Sequence, residues 1–186
     1  MTNPVPHPHA QSKYQVRFDW ARDGAARVAA DADVVIWVDV LGPAADAGLD
    51  DVAPAAELLL GGGADAMLVA EHVLETQVAL GRRAFIAVIA AGEAGGSGSP
   101  RFAVEDLLGA GAVIDALAAV GLDYSSPEAA AACAAYTGLR GAVTHLATAS
   151  ASGQALLAAG VPAADIRAAA GARPAESVRV LRAYPA

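Results

Sequence analysis

The chain has 186 residues, 55% hydrophobic but only 5% aromatic, and a formal net charge of -8. That length fits one domain with a sizeable core, and with so few aromatics alanine and valine must supply most of the packing, the former being the best helix former. The negative charge disfavours nucleic acid, whose phosphates attract basic surfaces, and disfavours an anionic membrane face. No apolar run approaches the ~20 residues needed to span a bilayer.

The first residues, MTNPVPHPHAQSK, lack the charged-then-apolar order of a secretory signal. Residues 1–12 read as a disordered leader, with His7 and His9 solvated. Tyr14, Val16, Phe18 and Trp20 alternate with polar residues, the period of a half-buried strand. Asp23-Gly24 opens a short helical run to Ala30. Ala32 to Leu41 (ADVVIWVDVL) is nearly continuous in apolar residues, as in a strand covered on both faces, and carries Asp39 near its carboxyl end. Gly42 to Gly63 contains Pro43 and Pro54 and glycines at both ends, which limits it to loop with at most a short helix around Ala55 to Leu60.

Ala64 to Leu80 reads as an amphipathic helix with Met67, Ala70, Leu74 and Val78 on its apolar face and His72 on the solvated one. Phe85 to Ala91 is a buried strand, followed by a Gly/Ser-rich loop, Gly92 to Pro100, and a helix from about Phe102. Gly109 and Gly111 inside that helix each cost roughly 1 kcal/mol relative to alanine, which implies close packing against another backbone. Gly121 sits where a left-handed cap belongs, and Ser126-Pro127-Glu128 starts a further helix that runs to Gly138. Another helix follows over Gly141 to Ala149, then a break over Ser150 to Gly153, then a short helix to Gly160. Ser177 to Tyr184 alternates apolar residues with arginines and reads as an edge strand. Strands alternating with helices specify an α/β fold: a three-layer α/β/α architecture with a mixed, largely parallel central sheet. The strands at the two ends of the chain are available as antiparallel edges.

The chemistry gathers where the chain leaves the strands. Glu93 follows the strand Phe85 to Ala91, Glu105 and Asp106 occupy the first turn of the next helix, and Asp39 ends a separate strand. Open α/β sheets bind ligands outside the carboxyl ends of their strands. Acids in a first helical turn also serve simply to complement the helix dipole. Four carboxylates at one sheet edge repel one another unless some are protonated or a cation lies between them, and a hard divalent ion such as Mg2+ is the simplest resolution. The glycine loop could cradle a phosphate through Gly95, Gly96 and Ser97, but GEAGGSG matches neither a dinucleotide fingerprint nor a Walker loop. Ser152 and His145 could be combined with an aspartate on paper, yet no G-x-S-x-G elbow is present. Cys133 has no cysteine partner in the chain, which suits a reducing, cytoplasmic compartment.

The run AAGE, followed by FAVEDLLGAGAVIDALAAVGLDYSSPEAAAACAAYTGLRGAVTHLATASASGQALLAAG, resembles the C-terminal half of 2-phosphosulfolactate phosphatases. EDLLGAG and the later S-x-SG-x-x-L carry the match, and YQVRFDW with the strand into VDVL resembles actinobacterial-type members. The resemblance implies Mg2+-dependent hydrolysis of a small anionic phosphoester, and a homodimer. It places Asp39, Glu105 and Asp106 on the family's acidic motifs as metal ligands, with Asp39 and Glu93 as catalytic groups, Glu93 as a further ligand or base. Gly95, Gly96, Ser97, Ser150 and Ser152 then fall to substrate binding. Two features depart from the family: VDVL is not followed by an arginine-containing segment, and the family's middle portion, with its N-S-P and T-T-x-N-G segments, has no counterpart around residues 42–63. A catalytically degenerate member, kept as a binding or assembly module, is the alternative.

Overall fold

The computed structural model describes residues 8–42, 49, 51–93, 101–173 and 175–184. Five strands form one mixed sheet in the order β1-β4-β2-β3-β5. They are β1 (Val16–Trp20), β2 (Val34–Val38), β3 (Glu57–Gly61), β4 (Ile86–Ala90) and β5 (Arg179–Arg182). β1, β4, β2 and β3 are parallel, and β5 alone runs antiparallel, beside β3. The mixed, largely parallel sheet foreseen from the alternation of strands and helices is therefore present. The N-terminal strand, however, joins as a parallel edge, because its neighbour is β4 and not its successor in the chain.

Side chains alternate across the sheet and bury on both faces. On one face Val16, Phe18, Ile36, Val38, Leu59, Val88 and Ala90 pack against α2 (Ala66–Leu80), α3 (Val104–Ala119) and α4 (Pro127–Leu139). On the other, Val35, Trp37, Leu58, Leu60, Ala87 and Ile89 meet α1 (Ala21–Val28) and the segment holding Leu49, Ala53 and Ala56. Three short helices, α5 (Val143–Ala149), α6 (Ala151–Ala158) and α7 (Ala163–Arg167), cluster with Val40 and Leu41 just beyond β2. That cluster raises a wall at the carboxyl edge of the sheet.

Several local expectations hold for the reasons given. The Ser126 hydroxyl accepts from the Ala129 amide at 3.1 Å and Pro127 opens α4. Gly121 has φ of 89°, as its cap position requires. A Cβ on Gly111 would collide with the Ala132 carbonyl oxygen and come within 2.7 Å of the Tyr136 Cβ, so this glycine is what lets α3 and α4 approach.

Others are corrected. Residues 57–61, placed within loop or short helix, form β3, buried throughout and hydrogen-bonded between β2 and β5. In α2 the buried positions are Val69, Ala70 and Val73, while Met67 and Val78 are exposed, so the inward face is rotated from the expected one. His72 is half-buried rather than solvated, its Nε2 lying 2.8 Å from the buried Glu57 carboxylate. Within the expected leader, Pro8–Ala10 makes a 3-10 turn, and the side chain of Gln11 satisfies both the N–H and the carbonyl of Phe18 on the outer edge of β1.

Candidate active site at the carboxyl edge of the sheet

The connections of β2 and β4 leave the sheet in opposite directions. After β2 the chain passes to the face covered by α1, where Leu49, Ala53 and Ala56 pack. After β4 it enters α3 on the other face. Adjacent parallel strands whose connections diverge leave a crevice between their carboxyl ends, the usual ligand position in open α/β sheets. Here the crevice is a cleft of about 410 Å3 lined by Asp39, Gly42, Gly92, Glu93, Glu105, Asp106 and Ser152, with Leu41, Ala103, Ala155 and Leu156 as its apolar walls.

Asp106 holds the two strand ends together. Its Oδ1 accepts from the Val40 amide at 2.8 Å and its Oδ2 from the Gly92 amide at 2.9 Å. Both amides lie just past the ends of β2 and β4. Burial pushes the Asp106 carboxyl up to about 7; the two amide hydrogen bonds oppose that rise, and the neighbouring charges of Asp39 and Glu105 add to it. Asp39 follows β2 and turns back on itself, its Oδ1 accepting from the Gly42 amide at 2.8 Å. A Cβ at position 42 would overlap the Asp39 carboxylate, so glycine is what leaves this group room. Burial raises the Asp39 carboxyl as well, against the Gly42 hydrogen bond and with the Glu105 charge.

Glu105 is 4% exposed, and its Oε2 is a buried oxygen with no hydrogen-bond partner among the described residues. An orphaned carboxylate oxygen in a cleft shared with two other acids suits a bound cation. Among the described residues no three acidic, histidine or cysteine side chains are arranged as a protein-only metal cage. Mg2+ does not need one, since it commonly binds through one or two carboxylates, waters and a substrate phosphate. Among the described residues neither Asp39, Glu105 nor Asp106 has an arginine, lysine or histidine ion-pair partner.

The remaining candidates separate. Glu93 lines the cleft but is paired with Arg101 by main-chain hydrogen bonds in both directions and by a 3.3 Å side-chain contact. Ser152 reaches the cleft from the first turn of α6. Ser150 is spent on structure: its hydroxyl donates to the Ala147 carbonyl at 2.9 Å and accepts from the Gly153 amide at 3.0 Å, capping α6. Gly95, Gly96 and Ser97 lie outside the described residues.

Sequence reasoning missed Asp65 and Arg179. They line an adjoining cleft of about 330 Å3 on the far side of Asp39 and Gly42, beyond the ends of β2 and β3. Asp65 immediately precedes α2, and its Oδ1 accepts from the Gly62 amide at 2.7 Å. Arg179 lies 3.6 Å from the other oxygen. The signal in the chain was only that arginines interrupt the apolar residues of the last strand; the structure places Arg179 at one end of β5 and Arg182 at the other.

An open, mostly parallel sheet with an acid-lined crevice at its switch point defines the class: an α/β protein with a carboxylate-lined cleft at the position where such folds bind ligands. The chain belongs to the 2-phosphosulpholactate phosphatase family, whose model matches residues 45–183. The matched span holds Glu93, Glu105, Asp106, Ser152, Asp65 and Arg179 and begins after Asp39. No individually curated protein matches the chain.

Proposed function

We propose that the chain hydrolyses a small anionic phosphomonoester of the 2-phosphosulfolactate type in the cleft between β2 and β4, with Mg2+ as cofactor. Family membership supports the reaction class, and the observation that carries the site is the buried, unpartnered Oε2 of Glu105 in a cleft shared with Asp39 and Asp106. Asp39 and Glu105 are the groups that would hold the ion, which supplies positive charge against the phosphoryl oxygens. Asp106 stands behind them and fixes the separation of the strand ends through Val40 and Gly92.

The chain's own contribution is electrostatic and positional. Asp39, Glu105 and Asp106 together make a negative cleft that by itself repels a phosphate, and a cation held by Asp39 and Glu105 would offset that charge. Glu93 takes a proton from the attacking water at the oxygen that Arg101 does not contact, and returns it to the departing alkoxide as the ester P–O bond breaks, giving inorganic phosphate and the alcohol. Ser152 offers a hydroxyl donor from the opposite wall. The apolar side chains of Leu41, Ala155 and Leu156 exclude bulk water on that side.

A second reading is supported by one observation: no arginine or lysine lines the cleft itself among the described residues. A degenerate member would keep the fold and a weak metal site without turnover. Phosphate release from 2-phosphosulfolactate, measured with Mg2+ and again after chelation, separates the two. The phosphatase reading expects release that stops on chelation; release in neither condition leaves the binding-module reading. The same proposal places the protein in the reducing cytoplasm as a homodimer. Among the described residues no helix is long and apolar enough to cross a membrane.

A further inference from the structure

β5 is the one antiparallel strand among the described residues, and its direction has a chemical consequence. Its first residue, Arg179, pairs in register with Leu60 near the carboxyl end of β3, while Arg182 sits opposite Leu58 nearer the other end. Arg179 is thereby delivered to the same sheet edge as Asp39. There it lines the 330 Å3 cleft, whose wall includes Asp39 and Gly42, two residues that also line the acidic cleft. The two clefts are thus neighbours across one turn of chain.

Arg179 is held in place without being used up. Asp65 is 3% exposed and is itself anchored by the Gly62 amide. At 3.6 Å its contact with one guanidinium nitrogen orients the side chain, yet the guanidinium carries five N–H donors in a planar fork. The side chain is 52% exposed, so a ligand entering the cleft can reach the fork. A planar bidentate donor pair is the geometry that matches a carboxylate or sulfonate.

We propose that this second cleft is an anion subsite, with Arg179 as a specificity-determining residue that binds the sulfonate or carboxylate of a substrate whose phosphate lies across Asp39 in the acidic cleft. The assignment rests on the phosphatase reading for the substrate's orientation. It places an arginine beside the acidic cleft, whose lining has none among the described residues.

Calorimetric titration of sulfolactate, which has no phosphate, tests the subsite without requiring turnover. Wild type should bind it; Arg179→Gln should weaken binding tenfold or more, and Arg179→Lys, which keeps a charge against Asp65, should weaken it severalfold while preserving the melting temperature. Arg179→Lys carries the comparison if the glutamine variant does not fold. Equal affinity of wild type and the folded variants, or no binding by wild type, overturns the subsite even if 2-phosphosulfolactate is hydrolysed. Binding that depends on Arg179 in a protein that releases no phosphate would keep the subsite and remove the phosphatase reading.

Discussion

The carboxylate of Asp106 lies 2.8 Å from the amide nitrogen of Val40, 66 residues earlier in the chain. A side chain from the first turn of α3 therefore completes the end of β2, and its second oxygen does the same for Gly92 after β4. The shape of the acidic cleft depends on this one group.

Replacing Asp106 with asparagine keeps the size but puts an NH2 against one of two backbone N–H donors. One buried amide then loses its acceptor, which costs about 1–3 kcal/mol. Urea unfolding of Asp106→Asn at pH 6 should show that loss of stability. A midpoint equal to that of wild type would mean the strand ends are not held in this way.

The same carboxyl gives stability a pH dependence. Its folded-state value of about 7 lies above that of an exposed aspartate, so the folded protein retains a proton that the unfolded chain releases. Its contribution is full below about pH 4 and is lost as pH rises through 7, at up to about 1.4 kcal/mol per pH unit. Chelator-treated protein should therefore show a stability curve that falls from pH 5 to 7.5, and Asp106→Asn should flatten it. A slope unchanged in the variant would assign the titration elsewhere.

Much of this arrangement was legible in the chain. Asp39, Glu93, Glu105 and Asp106 were visible because acids at strand ends and in a first helical turn stand out against apolar runs. The cleft brings all four together. What the pattern hides is what tertiary contacts decide. Glu57 to Gly61 is built from helix-favouring residues and a glycine, and becomes a strand only because β2 and β5 flank it. The α2 sequence is apolar around much of its circumference, so its inward face cannot be phased from sequence alone. Arg179 gained meaning only from the antiparallel direction of β5.

Gly42→Ala tests the room left for Asp39. A Cβ there would overlap the Asp39 carboxylate and must displace it. Phosphate release should fall by at least tenfold, with the melting temperature lowered by no more than a few degrees because the turn is exposed. Full activity in Gly42→Ala would show that Asp39 need not occupy its observed position.

Gln11→Ala uncovers the outer edge of β1. The N–H and carbonyl of Phe18, now satisfied at 3.0 and 2.8 Å, would both lose their partner. Stability should fall by about 1–3 kcal/mol, and the opened edge should raise concentration-dependent association. Sedimentation at several concentrations reads the second effect; identical profiles would assign edge protection to other contacts.

Gly111→Ala should destabilise by about 1–3 kcal/mol through overpacking between α3 and α4, exceeding the roughly 1 kcal/mol gained in helix propensity. Thermal unfolding checks the sign, and a stabilised variant would mean the helices can separate freely.

Glu105→Gln is the most direct measurement of the acidic cleft as the reaction centre, because it removes the charge while preserving the volume of a side chain whose buried oxygen has no partner among the described residues. With saturating Mg2+, turnover of 2-phosphosulfolactate should fall by two orders of magnitude or more, and after chelator treatment the variant should melt at or above the wild-type temperature because a buried charge is relieved. Turnover equal to wild type in a folded Glu105→Gln protein would place the chemistry outside this cleft.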